Sequence, residues 1–323
     1  MKQIKLGRSE LMVSRVAFGT WQLGGDWGET DEDAAIRAIR RALQRGVSLF
    51  DTAQGYGFGK AERLLAKALC GVSRDDVVIA TKGGLRPLGG AAVARDSSPD
   101  WIRRGVVDSL AALDTDYIDL LQVHWPDPAI PLAETAGALA TLVDEGKVRH
   151  VGVSNFSVEQ MDAFSATLPV ETVQPPYHLF HRDVEADVLP YTAAHDIGML
   201  VYGPLAHGLL SGHLRADSNF TPGDWRAKSQ DFQGEPYRRN LKVVATLERI
   251  ANVELGVSIS RLAVAWTLAN LAVHVAIVGT RNPDHVDDAV AAAELELSDD
   301  VLHHIDDVMR DATPVAGPRP EAI

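Results

Sequence analysis

A single cysteine, Cys70, stands in 323 residues. It excludes an intrachain disulfide and any cysteine-rich metal site. Basic residues are outnumbered, 31 Lys and Arg against 44 Asp and Glu, for a formal charge of −13. A phosphate-backbone partner needs a basic surface, so no nucleic acid is expected. No apolar run reaches the length of a bilayer, so no membrane span is expected. Met1–Arg8 has no apolar core of the signal-peptide kind, and a cytoplasmic location is expected. No sequence repeat points to a solenoid. Metal-ligand groupings are missing too. His178 and His181 stand alone, and His303 and His304 are adjacent, so they cannot share a helix face. No metal is expected.

What the chain has is alternation. Residues 2–15 read as a small hairpin outside the main fold, a lid or plug. Short apolar runs then alternate with helical ones. Val16 to Thr20, Val47 to Asp51, Val77 to Ala80, Tyr117 to Val123, Val148 to Val153, Glu171 to Gln174, Met199 to Val201 and Val275 to Val278 read as strands. Continuously apolar strands of this kind are covered on both faces. Thr30 is the expected N-cap of the first helix, and Ser157 with Gln160 forms a capping box. Gly198 is the expected breaker after the helix 187–195. The stretch 205–236 is too long for an ordinary connection and reads as a functional or partly ordered loop. The last residues, 311–323, read as a loose tail. Eight strands each followed by helix give an α/β fold, a (β/α)8 TIM barrel in one domain spanning 1–323, with an extra C-terminal helix.

The polar residues cluster at the strand ends. Asp51, Lys82, His124, Ser154-Asn155, Gln174, Tyr202 and Gly279-Thr280-Arg281 all fall at or just past the carboxyl end of an apolar strand. In a barrel those ends surround one cavity. Tyr56 lies in the Gly-rich turn that follows Asp51. A free phenol is a poor acid at neutral pH, and a nearby ammonium such as Lys82 lowers its pKa. Asp51 would hold Lys82 charged and oriented, and His124 would hydrogen-bond a substrate carbonyl or relay the proton. This set suits a reaction in which negative charge grows on oxygen and is quenched by a proton. Reduction of an aldehyde or ketone by hydride fits, and the hydride needs a nicotinamide. An ordinary Asp51–Lys82 ion pair, a rim histidine and a loop tyrosine each explain one or two of the residues, but not their shared placement. Gly57-Phe58-Gly59 lacks the third glycine of a dinucleotide fingerprint, so the chain is not read as a Rossmann fold.

Several motifs together resemble the aldo-keto reductase superfamily across nearly the whole chain. They are Phe50-Asp51-Thr52-Ala53 with Tyr56, Gly57, Gly59, Glu62 and Arg63; Leu113 to Leu120; His124-Trp125; Gly146 to Arg149 leading into Gly152 to Phe156; Gln174; and Gly203-Pro204-Leu205. The Trp21 to Trp27 loop, His124 to Pro128 and Gln174 to Tyr177 look like the bacterial branch that includes inositol-operon and general-stress reductases. The resemblance implies Asp51, Tyr56, Lys82 and His124 as a catalytic tetrad with Tyr56 as general acid. It implies that Ser154, Asn155 and Gln174 hold a nicotinamide carboxamide, that Tyr202 stacks on its ring, and that the loop opening at Gly203, Pro204 and Leu205 crosses the pyrophosphate. Gly279, Thr280, Arg281, His285 and Asp288 lie where the family binds the adenosine 2′-phosphate. Arg281 favours NADPH. His285 and His213 stand where many relatives carry a cation, and Asp288-Ala289 where many carry Glu-Asn, so NADH stays open. Trp21, Trp27, Trp125 and the 205–236 loop are expected to wall a pocket for a small carbonyl, and Asp26, if it points inward, would suit a hydroxylated one. A slow, nicotinamide-binding redox sensor or regulatory subunit is the alternative; the oligomeric state is not encoded legibly.

Overall fold

In a computed structural model, which describes residues 1–89, 92–221 and 223–320, the alternation of apolar and amphipathic text closes on itself. The chain begins with a hairpin, β1 (Gln3–Lys5) against β2 (Met12–Ser14). Then follow β3 (Val16–Gly19), α1 (Glu32–Gln44), β4 (Leu49–Asp51), α2 (Lys60–Leu69) and β5 (Val78–Gly83). A second hairpin, β6 (Leu85–Gly89) and β7 (Ala92–Arg95), precedes α3 (Pro99–Leu113) and β8 (Ile118–Val123). Next come α4 (Leu132–Asp144), β9 (Val148–Ser154), α5 (Val158–Ser165), β10 (Thr172–Gln174), α6 (Val188–Ala194) and β11 (Gly198–Tyr202). The chain continues with α7 (Gly234–Arg249), α8 (Ile259–Ala269), β12 (Val275–Gly279), α9 (Asp284–Ala291) and α10 (Asp299–Met309). Strands β3, β4, β5, β8, β9, β10, β11 and β12 pair in parallel in that order, and β12 closes on β3 with Ala276 opposite Val16 and Gly279 opposite Gly19. This is a (β/α)8 barrel, with every strand covered by helices outside and side chains inside.

The first hairpin is a plug. Leu6, Leu11 and Val13 pack with Ala17, Leu49, Ala80, Leu120, Leu200 and Val275 at the amino ends of the strands. Gly198 opens β11 where the hairpin crosses, and a Cβ there would lie 2.8 Å from Leu6 Cγ. It is therefore a place of close approach and not a helix breaker; α6 ends instead through Asp196, at φ 52°. Leu6 is fully buried. Leu6→Ala is expected to cost about 2–5 kcal/mol of stability in urea unfolding, with the polar strand ends undisturbed, because the plug closes the opposite end of the barrel.

Two further expectations, the cap of the first helix and the loose tail, are corrected. The first helix is capped by Asp31, whose carboxylate accepts the Ala34 N–H at 3.0 Å, and not by Thr30. The segment 311–320 is tied down. Val315 is fully buried and its N–H bonds Phe180 O at 2.9 Å, while Asn240 brackets Thr313 through both its amide groups. The remainder of the expected tail, 321–323, lies outside the described residues. The stretch 205–236 is built of 3-10 turns at Ala206–Ser211, Trp225–Lys228 and Gln230–Phe232, with Trp225 and Phe232 buried.

Candidate active site

All of the polar strand ends converge at one mouth. Asp51 ends β4, and the chain beyond it keeps pairing with β5, Thr52 N–H to Ala80 O at 2.8 Å and Gln54 N–H to Lys82 O at 3.0 Å. It then turns sharply. Gly57 has φ +65°, and a Cβ on it would stand 2.4 Å from Gly24 O. Glycine is needed there, and the tight turn sets Tyr56 against the 21–28 loop. Lys82 lies on β5 beside Gln122 of β8, and α2 is clamped next to it by the Thr81 hydroxyl on Glu62 at 2.7 Å.

The Lys82 ammonium has three acceptors. They are Asp51 Oδ1 at 2.6 Å, Thr52 O at 2.9 Å and Tyr56 Oη at 3.3 Å. An ammonium has three protons to give, so all are directed. Asp51 is fixed on its other side by Gln174 Nε2, which donates to Oδ2 at 2.8 Å and lies 3.4 Å from Gln122 Oε1. Burial pulls the Lys82 pKa down, and the Asp51 charge opposes it. The Tyr56 phenol is held well above its ordinary value, first by burial and then by the Asp51 charge. The expected lowering by Lys82 is thus outweighed here: the desolvation of a phenolate exceeds the pull of an ammonium already neutralised by Asp51. Tyr56 stands as a neutral phenol, able to give a proton. His124 is buried, with its Nδ1 unpartnered among the described residues, and burial followed by the Lys82 charge keeps it well below the usual histidine range. It is a neutral imidazole, set edge-on to Tyr56 with ring centres 5.6 Å apart.

A second set of groups continues round the rim. Asn155, at φ 61°, donates to His124 O at 3.0 Å and accepts from the Tyr202 hydroxyl at 2.9 Å. Ser154 donates to Gln174 O at 2.7 Å. The amide Oε1 of Gln174 keeps no partner among the described residues. One cavity of about 790 Å³ joins these groups. Asp51, Tyr56 and His124 lie on its floor. Trp21, Trp27 and Trp125 form a wall, and Ser154, Asn155, Gln174, Tyr202, Gly203, Pro204 and Leu205 line its middle. Gly279, Thr280, Arg281, His285 and Asp288 line its far arm. Lys82 lies behind the floor, 1% exposed.

In the far arm, Arg281 Nη1 donates to Trp27 O at 3.2 Å and Glu29 O at 2.9 Å, clasping the 27–29 loop. His285 stacks on His213 with ring centres 5.6 Å apart. Asp288 is held by Arg261 at 3.0 Å and by the Ser258 hydroxyl.

Sequence reasoning placed the 205–236 loop in the wall without naming its residues, and it missed several others of the site. Gln122 is a polar residue within an apolar strand, a legible signal. His207 and Arg226 come from the long loop, where nothing periodic marks them. Trp225 stacks on Trp21 at 6.1 Å, and Arg226 lies over the Trp27 ring at 4.5 Å. Leu85 and Val93 of the β6–β7 hairpin, and Gly317 and Pro318 of the C-terminal segment, also line the cavity.

Residues 15–310 match the model of the Aldo/keto reductase family. The chain is 42% identical over 289 residues to an aldo-keto reductase from Bacillus subtilis, covering 89% of this chain and 87% of that one. It is 34% identical to an NADH-specific methylglyoxal reductase from Escherichia coli, covering 93% of this chain and 95% of that one. Among solved structures, a glycerol dehydrogenase from Gluconobacter oxydans superposes with a TM-score of 0.88 at 38% identity, covering 98% and 97% of the two chains. With a matching family model, a matching barrel and relatives matched over most of their length, this chain belongs to the aldo/keto reductase family of oxidoreductases.

Proposed function

We propose that the protein reduces aldehydes or ketones to alcohols with NADPH, reversibly, with Tyr56 as the general acid. The observation that carries this reading is the Lys82 ammonium, buried and shared among Asp51, the Thr52 carbonyl and the Tyr56 hydroxyl. A buried lysine directed at a phenol on the floor of a large cavity is arranged to stabilise charge that appears on that phenol.

The residues present fit a nicotinamide dinucleotide. The cavity runs from the tetrad to the far arm, and the Gln174 Oε1 left open is an acceptor suited to a carboxamide. Ser154, Asn155 and Gln174 would hold the carboxamide end, Tyr202 the ring, Gly203 to Leu205 the pyrophosphate, and the 279–288 arm the adenosine. When bound, a reduced nicotinamide supplies the hydride. The chain supplies the rest. Tyr56 gives its proton to the carbonyl oxygen, and Lys82 compensates the phenolate that remains. Asp51 keeps Lys82 in place through Oδ1, while Gln174 holds Asp51. Neutral His124 lines the cavity with Nδ1 sealed off from it, so Nε2 is the ring nitrogen suited to orient the carbonyl by a hydrogen bond, without itself titrating.

The preference for NADPH rests on Arg281. Its Nε and Nη2 have no partner among the described residues, so it can pair with a 2′-phosphate while Nη1 keeps the loop. Fluorescence titration with NADPH and NADH, followed by stopped-flow oxidation with 4-nitrobenzaldehyde, tests the reading. Tight binding with turnover supports it; no binding of either nucleotide overturns it. In the same titration Arg281→Ala is expected to weaken NADPH by about tenfold or more and NADH by far less. Equal losses would remove Arg281 as the selecting group and favour NADH, the cofactor named for the Escherichia coli relative.

A further inference from the structure

Beside the tryptophans of the wall, the Asp26 carboxylate lines the cavity with no ion pair to a described cation. Asp26 accepts the Trp21 indole N–H through Oδ2 at 3.1 Å. Its Oδ1 has no hydrogen-bond partner among the described residues and is not sealed from the cavity. No described Lys, Arg or His pairs with it; Arg226, in the same lining, is spent on Asp224 at 2.6 Å. The indole that fixes Asp26 also stacks on the general acid, with the Trp21 and Tyr56 ring centres 6.4 Å apart. Asp26 and Tyr56 therefore both touch the same indole, and both line the cavity. The site is also close enough that the Asp26 charge acts on the Tyr56 phenol.

A desolvated carboxylate with an open oxygen is an acceptor that gains from a hydroxyl donor and loses from an apolar or anionic neighbour. Building on the reductase reading above, we propose that Asp26 is the specificity residue of this site, selecting small, uncharged carbonyl compounds that carry a hydroxyl near the carbonyl, and rejecting oxo acids. The hydroxyl donates to Asp26 Oδ1 while Tyr56 serves the carbonyl oxygen. A substrate lacking the hydroxyl leaves the carboxylate unpaired in the complex, and a substrate carboxylate meets it charge to charge.

The test compares kcat/KM for D-glyceraldehyde, propanal and glyoxylate, with 4-nitrobenzaldehyde as the probe of reductase activity itself. The native protein is expected to favour glyceraldehyde over propanal by about tenfold or more, with the gain in KM, and to use glyoxylate poorly. In Asp26→Leu the glyceraldehyde-to-propanal ratio falls at least tenfold. In Asp26→Asn, which keeps an acceptor for Trp21 but no charge, part of the ratio survives and glyoxylate improves relative to propanal. Ratios unchanged in both variants, with propanal and 4-nitrobenzaldehyde still reduced, overturn the role of Asp26 and leave the reductase reading standing. No nicotinamide oxidation with any of the four overturns both. If Asp26→Leu misfolds, Asp26→Asn and the native ratios decide between these outcomes.

Discussion

Tyr56→Phe is expected to lower kcat/KM for aldehyde reduction by about 10²–10⁴-fold, with the Kd for NADPH changed less than twofold. The substitution removes one oxygen. That oxygen lies 3.3 Å from Lys82 Nζ, at the cavity floor, and no cofactor-holding group depends on it. Lys82 keeps Asp51 Oδ1 and the Thr52 carbonyl, so no buried charge is orphaned and the fold survives. Steady-state kinetics with 4-nitrobenzaldehyde and a fluorescence titration check the two halves. Lys82→Met is a contrasting case. It strands the Asp51 carboxylate, buried and with only Gln174 left to it, and removing one member of a buried pair is costly to the fold. A Tyr56→Phe enzyme of undiminished rate would remove Tyr56 as the acid.

The barrel is legible in the sequence because its strands are short and apolar and its helices carry apolar stripes, which is the pattern a two-sided parallel sheet requires. The candidate tetrad is legible for a related reason: Asp51, Lys82 and His124 interrupt or end those runs, and an acid, a base and an imidazole at strand ends stand out against Val and Ile. The β6–β7 hairpin carries no such signal. Leu88 is 57% exposed, Pro87 breaks the alternation, and the hairpin packs over the cavity instead of in the barrel. The C-terminal segment hides its order for the same cause. Thr313 to Pro318 looks like tail composition, yet Val315 is anchored on Phe180 and Ala316 on Asp231, contacts between residues far apart in sequence. The sign of the Tyr56 shift escapes the sequence because residue order suggests which charges are near but not how dry the phenol is. Thr30 against Asp31 is a one-residue question of cap geometry that composition leaves open.

The same dryness makes acid the protein's weak side. His124, His178 and His207 are all buried, and burial is the first cause holding each below the ordinary histidine pKa; for His207 the value falls to about 3. His178 has neither ring nitrogen partnered among the described residues, and it packs near His181 and His207. His207 adds the Arg226 charge to its burial and carries a strained φ of 55°. Unfolded imidazoles titrate at about 6.5. Because the folded values lie lower, the unfolded chain binds more protons between the two, and stability must fall as pH drops below about 6.5 and keep falling until the folded groups protonate. Above that pH these groups add no dependence. Each contributes about 1.4 kcal/mol per pH unit within the window. Urea unfolding at pH 8, 7, 6 and 5 should therefore show a flat upper limb and a steep lower one. His207→Gln should make the lower limb shallower by about one proton, and the difference between the two proteins cancels the carboxylates that titrate alongside. If both proteins lose stability with the same slope below pH 6.5, His207 is not buried as a neutral imidazole in solution, and the packing of the long loop over the cavity is looser than its contacts with Trp225 and Gly317 require.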